Sequence, residues 1–201
     1  MKTLVNREML VSKLKQKVAG QDAGIEALVL VMLGKLYSNA PKKPLVVLLP
    51  GPGASTKSEV SIALAEALET NLVRFNLVNY ANSYTSRQLF GCTKGYVGSE
   101  QGGDLPNALR QMNNSCVFLF DGIEDLRQSL WPQFLDFLDE GRASDMLGGV
   151  TAPKDTICLV ASSIKSQEIG NNPDTAKEIL RQSNYFSPEF LGRVNKVIAF
   201  S

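Results

Sequence analysis

Hydrophobic positions near the beginning of the chain recur at the spacing of helices. Within residues 6–18, Leu10, Leu14 and Val18 occupy every fourth position, which places their side chains on one face of a helix. A second pattern of this kind follows Gln21 and ends near Leu36. These patterns predict two helices at the start of the chain.

Further along, apolar residues form short continuous runs instead of helical patterns. Four such runs are bounded by turn residues and are typical of strands covered on both faces: residues 44–50, 72–77, 116–121 and 156–163. Helical patterns lie between them, at residues 58–68, 104–112 and 130–138. Because strands and helices alternate, we predict an α/β fold, a parallel sheet with helices on both faces. The polar residues 166–175 predict a loop.

Composition limits the size of the fold and the kinds of partner. The 201 residues, 44% hydrophobic and 20% charged, are enough for one sizeable α/β core. The net charge of +1 gives no overall field that would attract nucleic acid or an anionic membrane. The apolar residues 27–36 are too short to span a bilayer, and no signal-peptide pattern precedes them. We therefore expect a cytoplasmic protein without nucleic-acid or membrane partners.

The chain has no histidine and three cysteines, Cys92, Cys116 and Cys158. Without histidine, a Ser-His-Asp triad, a Cys-His pair and the common histidine-based zinc sites are excluded. The cysteines form no C-x-x-C pair, and two of them lie in apolar runs, so structural roles are favoured over metal or redox roles. Most hydrolase chemistry is therefore ruled out.

The stretch LLPGPGASTKSEV joins a predicted strand to a predicted helix through a turn that contains glycine. Gly51, Lys57 and Ser58 match the phosphate-binding pattern G-x-x-x-x-G-K-[ST], whereas Thr56 replaces its second glycine. In such a turn the backbone N–H groups and the helix N-terminus face a phosphate. Lys57 would reach the outer phosphates and the Ser58 hydroxyl suits Mg²⁺.

A second half of this site is predicted at Asp121, the last residue of the run CVFLFD. We expect it at the end of a neighbouring central strand, beside the phosphate turn, where its carboxylate would complete a Mg²⁺-nucleotide site. The alternative is that Lys57 and Ser58 merely begin a helix and that Asp121 caps another.

Six segments, in order, resemble one protein family. They are VAGQDAGIEAL, GPGASTKSE, LFGCTKGYVGSEQGGDLPNALRQ, VFLFDGIEDL, LDEGRASD and SPEFLGRVNKVIAF. From about residue 10 onward the sequence resembles the large ATPase subdomain of the Clp-type AAA+ unfoldases and disaggregases, specifically their second ATPase module. The resemblance implies a P-loop protein-remodelling module that binds ATP and Mg²⁺, assembles with AAA+ subunits in a homo- or hetero-hexameric ring and acts on polypeptide clients. It also implies a single large subdomain over residues 1–201, with an N-terminal helix and linker over 1–19, an α/β core over 20–201 and no small helical lid.

The same resemblance assigns roles to individual residues. Val18 and Ala19 would border the adenine. The nucleotide-binding turn would comprise Gly51, Pro52, Gly53, Ala54, Ser55, Thr56, Lys57, Ser58 and Glu59. Ser58 and Asp121 would bind Mg²⁺, Ser163 takes the sensor 1 position, and Arg193 takes the place of the arginine finger that reaches a neighbour's nucleotide. The pore loop that grips a polypeptide would consist of Gly95, Tyr96, Val97 and Gly98.

Several positions depart from the family pattern at the nucleotide site. Ala54 and Thr56 replace glycines, so side chains stand where the backbone approaches the phosphates. Gly122 replaces the Walker B glutamate that polarises the attacking water. Ser163 replaces the sensor asparagine and supplies no amide. Glu124 is the remaining candidate for a catalytic base.

Three functions are compatible with these residues. The first is an ATP-driven remodelling module that hydrolyses ATP with atypical residues. The second is a degenerate domain that binds nucleotide weakly or not at all and contributes a ring position and Arg193. The third is an adaptor domain that reuses the ring surfaces. We expect a Clp-like ATP-binding module with weak or lost hydrolysis, with a non-hydrolysing assembly or adaptor domain as the alternative.

Overall fold

A computed structural model of the protein describes residues 6–38, 43–83, 85–91, 99–112 and 115–200. Its helices are α1 (Arg7–Lys17), α2 (Asp22–Tyr37), α3 (Ala54–Ala67), α4 (Ser86–Phe90), α5 (Asp104–Gln111), α6 (Trp131–Glu140), α7 (Ser166–Asn171), α8 (Ala176–Gln182) and α9 (Pro188–Arg193). Its strands are β1 (Leu45–Pro50), β2 (Asn71–Asn76), β3 (Cys116–Asp121), β4 (Arg142–Asp145), β5 (Gly148–Thr151), β6 (Ile157–Ser162) and β7 (Lys196–Val197).

The main sheet has five strands in the order β2-β3-β6-β1-β7, and all of its strand pairs are parallel. Every residue of β1 and of β6 is buried, as expected of central strands that are covered on both faces. The predicted parallel sheet is confirmed. One detail of the prediction is wrong: β6 lies between β1 and β3, so the strand that ends in Asp121 is not adjacent to the strand before the phosphate turn.

Helices cover both faces of this sheet, as predicted. On one face, α1, α2 and α3 bury aliphatic residues such as Leu14, Ile25 and Leu64 against alternate residues of the central strands. On the other face the layer is aromatic: the rings of Phe120 and Phe134 meet edge to face with centroids 5.0 Å apart. Successive strand residues point to opposite faces, which is why one apolar run supplies both layers.

The prediction of a loop over residues 166–175 is wrong. Residues Ser166–Asn171 form α7, and Pro173–Thr175 form a single 3₁₀ turn. The side chain of Ile169 is completely buried in the aromatic layer, and this tertiary contact outweighs the local turn preference of the surrounding Gly, Asn and Pro residues.

Burial accounts for the two cysteines in the described ranges. Cys116 and Cys158 are both buried in the sheet, and burial raises the pKa of both thiols. They remain neutral at physiological pH and pack as small apolar side chains. Cys92 lies outside the described residues. Within the described ranges, no helix has both the length and the hydrophobicity needed to cross a bilayer.

Candidate nucleotide site

The predicted phosphate turn, residues 51–53, connects the end of β1 to the beginning of α3. Gly51 has a φ of +133°, a conformation that residues with a side chain rarely adopt. A Cβ at this position would lie 2.6 Å from the carbonyl oxygen of Phe200. Gly51 is therefore required both by its own conformation and by the close approach of the backbone at residue 200.

The two residues that replace family glycines lie in the first turn of α3. The helix begins at Ala54, with Gly53 as its N-cap. Neither Ala54 nor Thr56 has a positive φ. Because both residues adopt the right-handed helical conformation, their side chains cause no backbone strain. Their effect on a phosphate is limited to the volume of the side chains themselves.

Lys57 is the buried charge of the site, with only 3% of its surface exposed. Its Nζ donates hydrogen bonds of 2.8 Å to the carbonyl oxygens of Gly51 and Ser162. Burial lowers the pKa of Lys57, and the carboxylates of Asp121 and Glu124 oppose this effect. The ammonium group therefore lies where β1, β6 and α3 meet, in the electrostatic field of both carboxylates.

The two predicted Mg²⁺ ligands have different surroundings. The Ser58 hydroxyl accepts a 2.8 Å hydrogen bond from Arg74 on β2, and its oxygen retains a second lone pair. Asp121 is half-buried at the end of β3, and no hydrogen bond to its carboxylate is found in the described ranges. A hydroxyl and an open carboxylate are oxygen ligands that suit Mg²⁺. Because the described residues contain no cluster of three or more metal-ligating side chains, a cation held here would take its other ligands from phosphate oxygens and water.

Gly122, the residue predicted to replace the Walker B glutamate, lies directly after β3. Its φ of +76° and ψ of 51° are left-handed, and a Cβ at this position would lie 3.0 Å from Oδ2 of Asp125. The residues Ile123–Asp125 then form a 3₁₀ turn. The backbone conformation at residue 122 therefore favours glycine over glutamate.

Glu124 is bound to Ser163, the residue predicted at the sensor 1 position. Its Oε1 accepts a 2.8 Å hydrogen bond from the backbone N–H of Ser163 and another hydrogen bond from the Ser163 hydroxyl. Its Oε2 is buried and has no hydrogen-bond partner within the described ranges. The bond joins the turn after β3 to the end of β6. Ser163 therefore occupies one oxygen of the Glu124 carboxylate at this edge of the sheet, and the other oxygen stays buried without a partner in the described ranges.

Arg193, the predicted arginine finger, is the last residue of α9 and is paired within its own chain. Its Nε and Nη2 lie 2.7 Å from Oδ2 of Asp139, and its Nη1 donates to the Glu189 carbonyl oxygen at 2.8 Å. The Arg193 side chain remains 26% exposed. The guanidinium group is thus held at the surface by one carboxylate and one backbone carbonyl oxygen.

A cavity of about 410 Å³ opens beside the phosphate turn, within the size range of small-ligand sites. Its walls are formed by the beginning of α2, the turn residues Gly51 and Pro52, and residues 169–170, 173–174 and 196–200. Gly24 allows the Phe200 ring to pack against α2, because a Cβ on residue 24 would lie 2.8 Å from that ring.

Only part of the lining of this cavity is predicted by the sequence. Val18 is buried in the aliphatic layer and does not line the cavity, whereas residues 20–24 and Ala27 do. The glycines Gly20 and Gly24 were the available signal, since Gly20 has a positive φ of 74° and Gly24 leaves room for the Phe200 ring. The predicted pore loop, Gly95, Tyr96, Val97 and Gly98, lies outside the described residues.

Comparison with known proteins agrees with this architecture. The model of the family AAA domain (Cdc48 subfamily) matches residues 42–197. The chain is 34% identical over 196 residues to the chaperone protein ClpB of Mycoplasma pneumoniae, an alignment that covers 94% of this chain and 27% of that protein. It is 33% identical over 204 residues to ClpB of Prochlorococcus marinus, covering 95% and 24%, and 35% identical over 201 residues to ClpB of Leptolyngbya boryana, covering 93% and 23%.

The chain thus spans about a quarter of the length of these relatives. Both the family match and the alignments include the phosphate turn, the strand that ends in Asp121 and the parallel sheet that positions them. The chain therefore belongs to the AAA domain (Cdc48 subfamily) family, as a Clp-type AAA+ ATPase module.

Proposed function

We propose that this chain is a Clp-like, ATP-binding module of a protein-remodelling ring in which ATP hydrolysis has been weakened or lost. The observation that carries the proposal is the combination of Gly122 with the bond between Glu124 and Ser163. The Walker B position has no side chain, and the nearest replacement already binds the sensor residue.

The capacity to bind nucleotide is supported by the groups that remain. Lys57 supplies a positive charge beside the turn, and Gly51 keeps the backbone conformation of that turn. The first turn of α3 offers its N–H groups and helix dipole to an anion. The adjacent cavity has room for the rest of a nucleotide. To reach a phosphate, the Lys57 ammonium must break its hydrogen bonds with two backbone carbonyl oxygens. We therefore expect the nucleotide to bind weakly.

A cation bound at Ser58 and Asp121 would neutralise part of the charge of the phosphates. The residues that would hold it are Ser58, in the first turns of α3, and Asp121, the last residue of β3. The Arg74 guanidinium, which donates to the Ser58 hydroxyl, would have to release it, because two cations at one oxygen would repel each other.

Water activation is the step that this arrangement lacks. A general base must lie within hydrogen-bonding distance of the proton that it removes. Gly122 offers no such group. The Glu124 oxygen that reaches the sensor position already accepts two hydrogen bonds from Ser163, and its other oxygen is buried. The module would therefore hold nucleotide without turning it over.

The ring position and the polypeptide client are part of the same proposal. Arg193 is 26% exposed and paired to one half-exposed carboxylate, so a neighbouring subunit's phosphate could compete for it. In such a ring this chain would contribute its arginine to a neighbour that hydrolyses ATP, and its pore loop would contact the client.

A nucleotide-binding titration tests the proposal. The fluorescence of mant-ATP with Mg²⁺ would be followed for the unaltered chain, for Lys57→Gln and for Lys177→Gln, an exposed lysine on α8 that serves as the control. Glutamine retains a donor for the carbonyls of Gly51 and Ser162, so the fold is preserved. We expect weak, saturable binding that drops about tenfold or more in Lys57→Gln, which corresponds to at least ~1.4 kcal/mol. No binding by the unaltered chain would instead favour the adaptor function.

A further inference from the structure

Two large apolar side chains form the tip of the small antiparallel sheet. Strand β4 pairs with β5 so that Asp145 lies opposite Gly148, and Met146 and Leu147 form the connection between them. Connections of this length favour Asn, Asp and Gly, because those residues suit the geometry of the turn. Met146 is 39% exposed and Leu147 is 55% exposed. Neither turn preference nor packing explains these two residues.

The tip is held rigidly by Asp145, whose side chain is completely buried. Its carboxylate pairs with the Arg110 guanidinium of α5 and accepts 2.9 Å hydrogen bonds from the backbone N–H groups of Gly103 and Leu147. Arg110 also donates to the carbonyl oxygen of Gly148 at 2.9 Å. Both strands of the hairpin are therefore hydrogen-bonded to α5, which fixes the position of the apolar tip.

The hairpin lies against the residues that flank segment 92–98 on both sides. A Cβ on Gly91 would lie 2.8 Å from the Cβ of Asp145, and a Cβ on Gly102 would lie 3.0 Å from Cδ1 of Leu147. Substitution of either glycine would push these elements apart. The tip is therefore adjacent to the places where the chain enters and leaves that segment.

The chemistry of the tip favours an extended polypeptide over a folded partner. The Asp145 charge is neutralised by Arg110, and the following residues Gly148 and Gly149 are exposed and carry no side chain. The contact at Met146, Leu147 and Gly148 is thus apolar and open to a close approach of another backbone, and the Arg142 guanidinium lies 4.0 Å from the place of a Cβ on Gly149. Two side chains are much less than the ~800 Å² that each partner of a stable complex buries. Such a contact can only be transient.

We propose that Met146 and Leu147 form an apolar contact site for an unfolded polypeptide. This inference rests on the proposed remodelling function and adds a second contact element to it, built on the β4–β5 hairpin. The contact is independent of sequence, because methionine and leucine side chains accommodate many apolar shapes without directional bonds.

Site-specific crosslinking tests the contact. The photoreactive residue p-benzoylphenylalanine would replace Met146, Leu147 or, as a control, Leu30, which is 62% exposed on α2 and belongs to the opposite face of the sheet. The probe is reduced, carboxymethylated α-lactalbumin, and the folded calcium-bound form is the negative probe. We expect crosslinks to the unfolded probe from positions 146 and 147 and severalfold fewer from position 30.

A binding measurement complements the crosslinking. The anisotropy of the labelled unfolded probe would be compared for the unaltered chain, for the double variant Met146→Ser/Leu147→Ser and for Leu30→Ser. We expect the affinity to fall about fivefold or more in the double variant, the scale of losing a partly buried apolar side chain, and to remain unchanged in Leu30→Ser.

The outcomes separate this inference from the proposed function. If the unfolded probe binds but crosslinks equally from position 30, or binds the double variant equally well, the hairpin site is wrong and the remodelling function stands. If crosslinks from positions 146 and 147 join copies of this chain, the tip is a self-association surface and the inference is overturned. If the unaltered chain does not bind the unfolded probe at all, both proposals fail.

Discussion

Ser163 donates both its backbone N–H and its hydroxyl to one oxygen of Glu124. This pair links the ends of β6 and β3, the edge of the sheet that also holds Lys57 through the Ser162 carbonyl oxygen. A hydrogen bond to a charged group stabilises a fold more than one between neutral groups. Under the proposed function, the same contact that stabilises this edge would withdraw Glu124 and Ser163 from chemistry on a nucleotide.

The first prediction concerns the stability that this pair contributes. Ser163→Ala removes one donor to the Glu124 carboxylate, and because Ser163 is exposed we expect the free energy of unfolding to fall by about 0.5–1.5 kcal/mol. Urea unfolding measures the change. Ser129→Ala, at an exposed position after Gln128, is the matched control and should change stability by less than ~0.5 kcal/mol. Equal effects of the two variants would mean that the pair is only incidental.

The second prediction is that Gly122→Glu alone will not restore ATP hydrolysis. The left-handed conformation of Gly122 costs a residue with a side chain about 1–2 kcal/mol, and its Cβ would approach the Asp125 carboxylate to 3.0 Å. The new carboxylate would thus be strained and displaced from the position that it has in the family. Phosphate release by Gly122→Glu should remain near background.

Two further variants complete that test. Gly122→Ala carries the backbone strain without a carboxylate and serves as the control for stability. The triple change Gly122→Glu, Ser163→Asn and Thr56→Gly should recover more turnover than any single change, because residues that act as a unit are not additive. Full recovery by Gly122→Glu alone would contradict the prediction.

The third prediction follows from the pKa of Asp145. The hydrogen bonds from Arg110 lower this pKa in the folded chain. Because the folded pKa lies below the unfolded value of about 3.9, the pair stabilises the fold above that value and loses its effect as the pH falls through the folded pKa. Asp145→Asn should cost about 1.5–3 kcal/mol near neutral pH. Measured by urea unfolding across pH, this cost should shrink in acid, and a cost independent of pH would show that charge plays no part.

The fourth prediction concerns the availability of Arg193. Its pair with Asp139 is partly exposed, at 26% and 35% of the two side chains, and exposed ion pairs contribute about 0–1 kcal/mol. A double-mutant cycle with Arg193→Ala and Asp139→Ala should therefore give a coupling free energy below ~1 kcal/mol. A coupling of several kcal/mol would mean that the arginine is fixed within its own chain and cannot serve a neighbour.

The fold was largely predictable because its central strands are continuous apolar runs. β1 and β6 are buried on every residue, so their sequences contain little besides aliphatic residues and a strand is the simplest structure for them. α7 was not predictable for the opposite reason. Its local sequence is rich in turn residues, and only the burial of Ile169 in the aromatic layer holds it as a helix.

The candidate site was predictable in its residue types but not in its contacts. The positions of Lys57, Ser58 and Asp121 follow from motif spacing, since each lies directly at a strand end or a helix start. The bond between Glu124 and Ser163 joins residues 39 positions apart, and no local sequence pattern predicts a contact over that separation. The order of β1, β6 and β3 in the sheet is likewise a long-range property.

Phosphate release from ATP is the most direct test of the central claim, that the nucleotide fold is retained while water activation is lost. It would be measured for the unaltered chain with Mg²⁺ under conditions where mant-ATP binding has been verified. Loss of a positioned base typically costs ~10²–10⁴ in rate, so we predict release no faster than for Lys57→Gln. Sustained turnover by the unaltered chain, abolished by either Lys57→Gln or Glu124→Gln, would contradict the account and identify Glu124 as a working catalytic base.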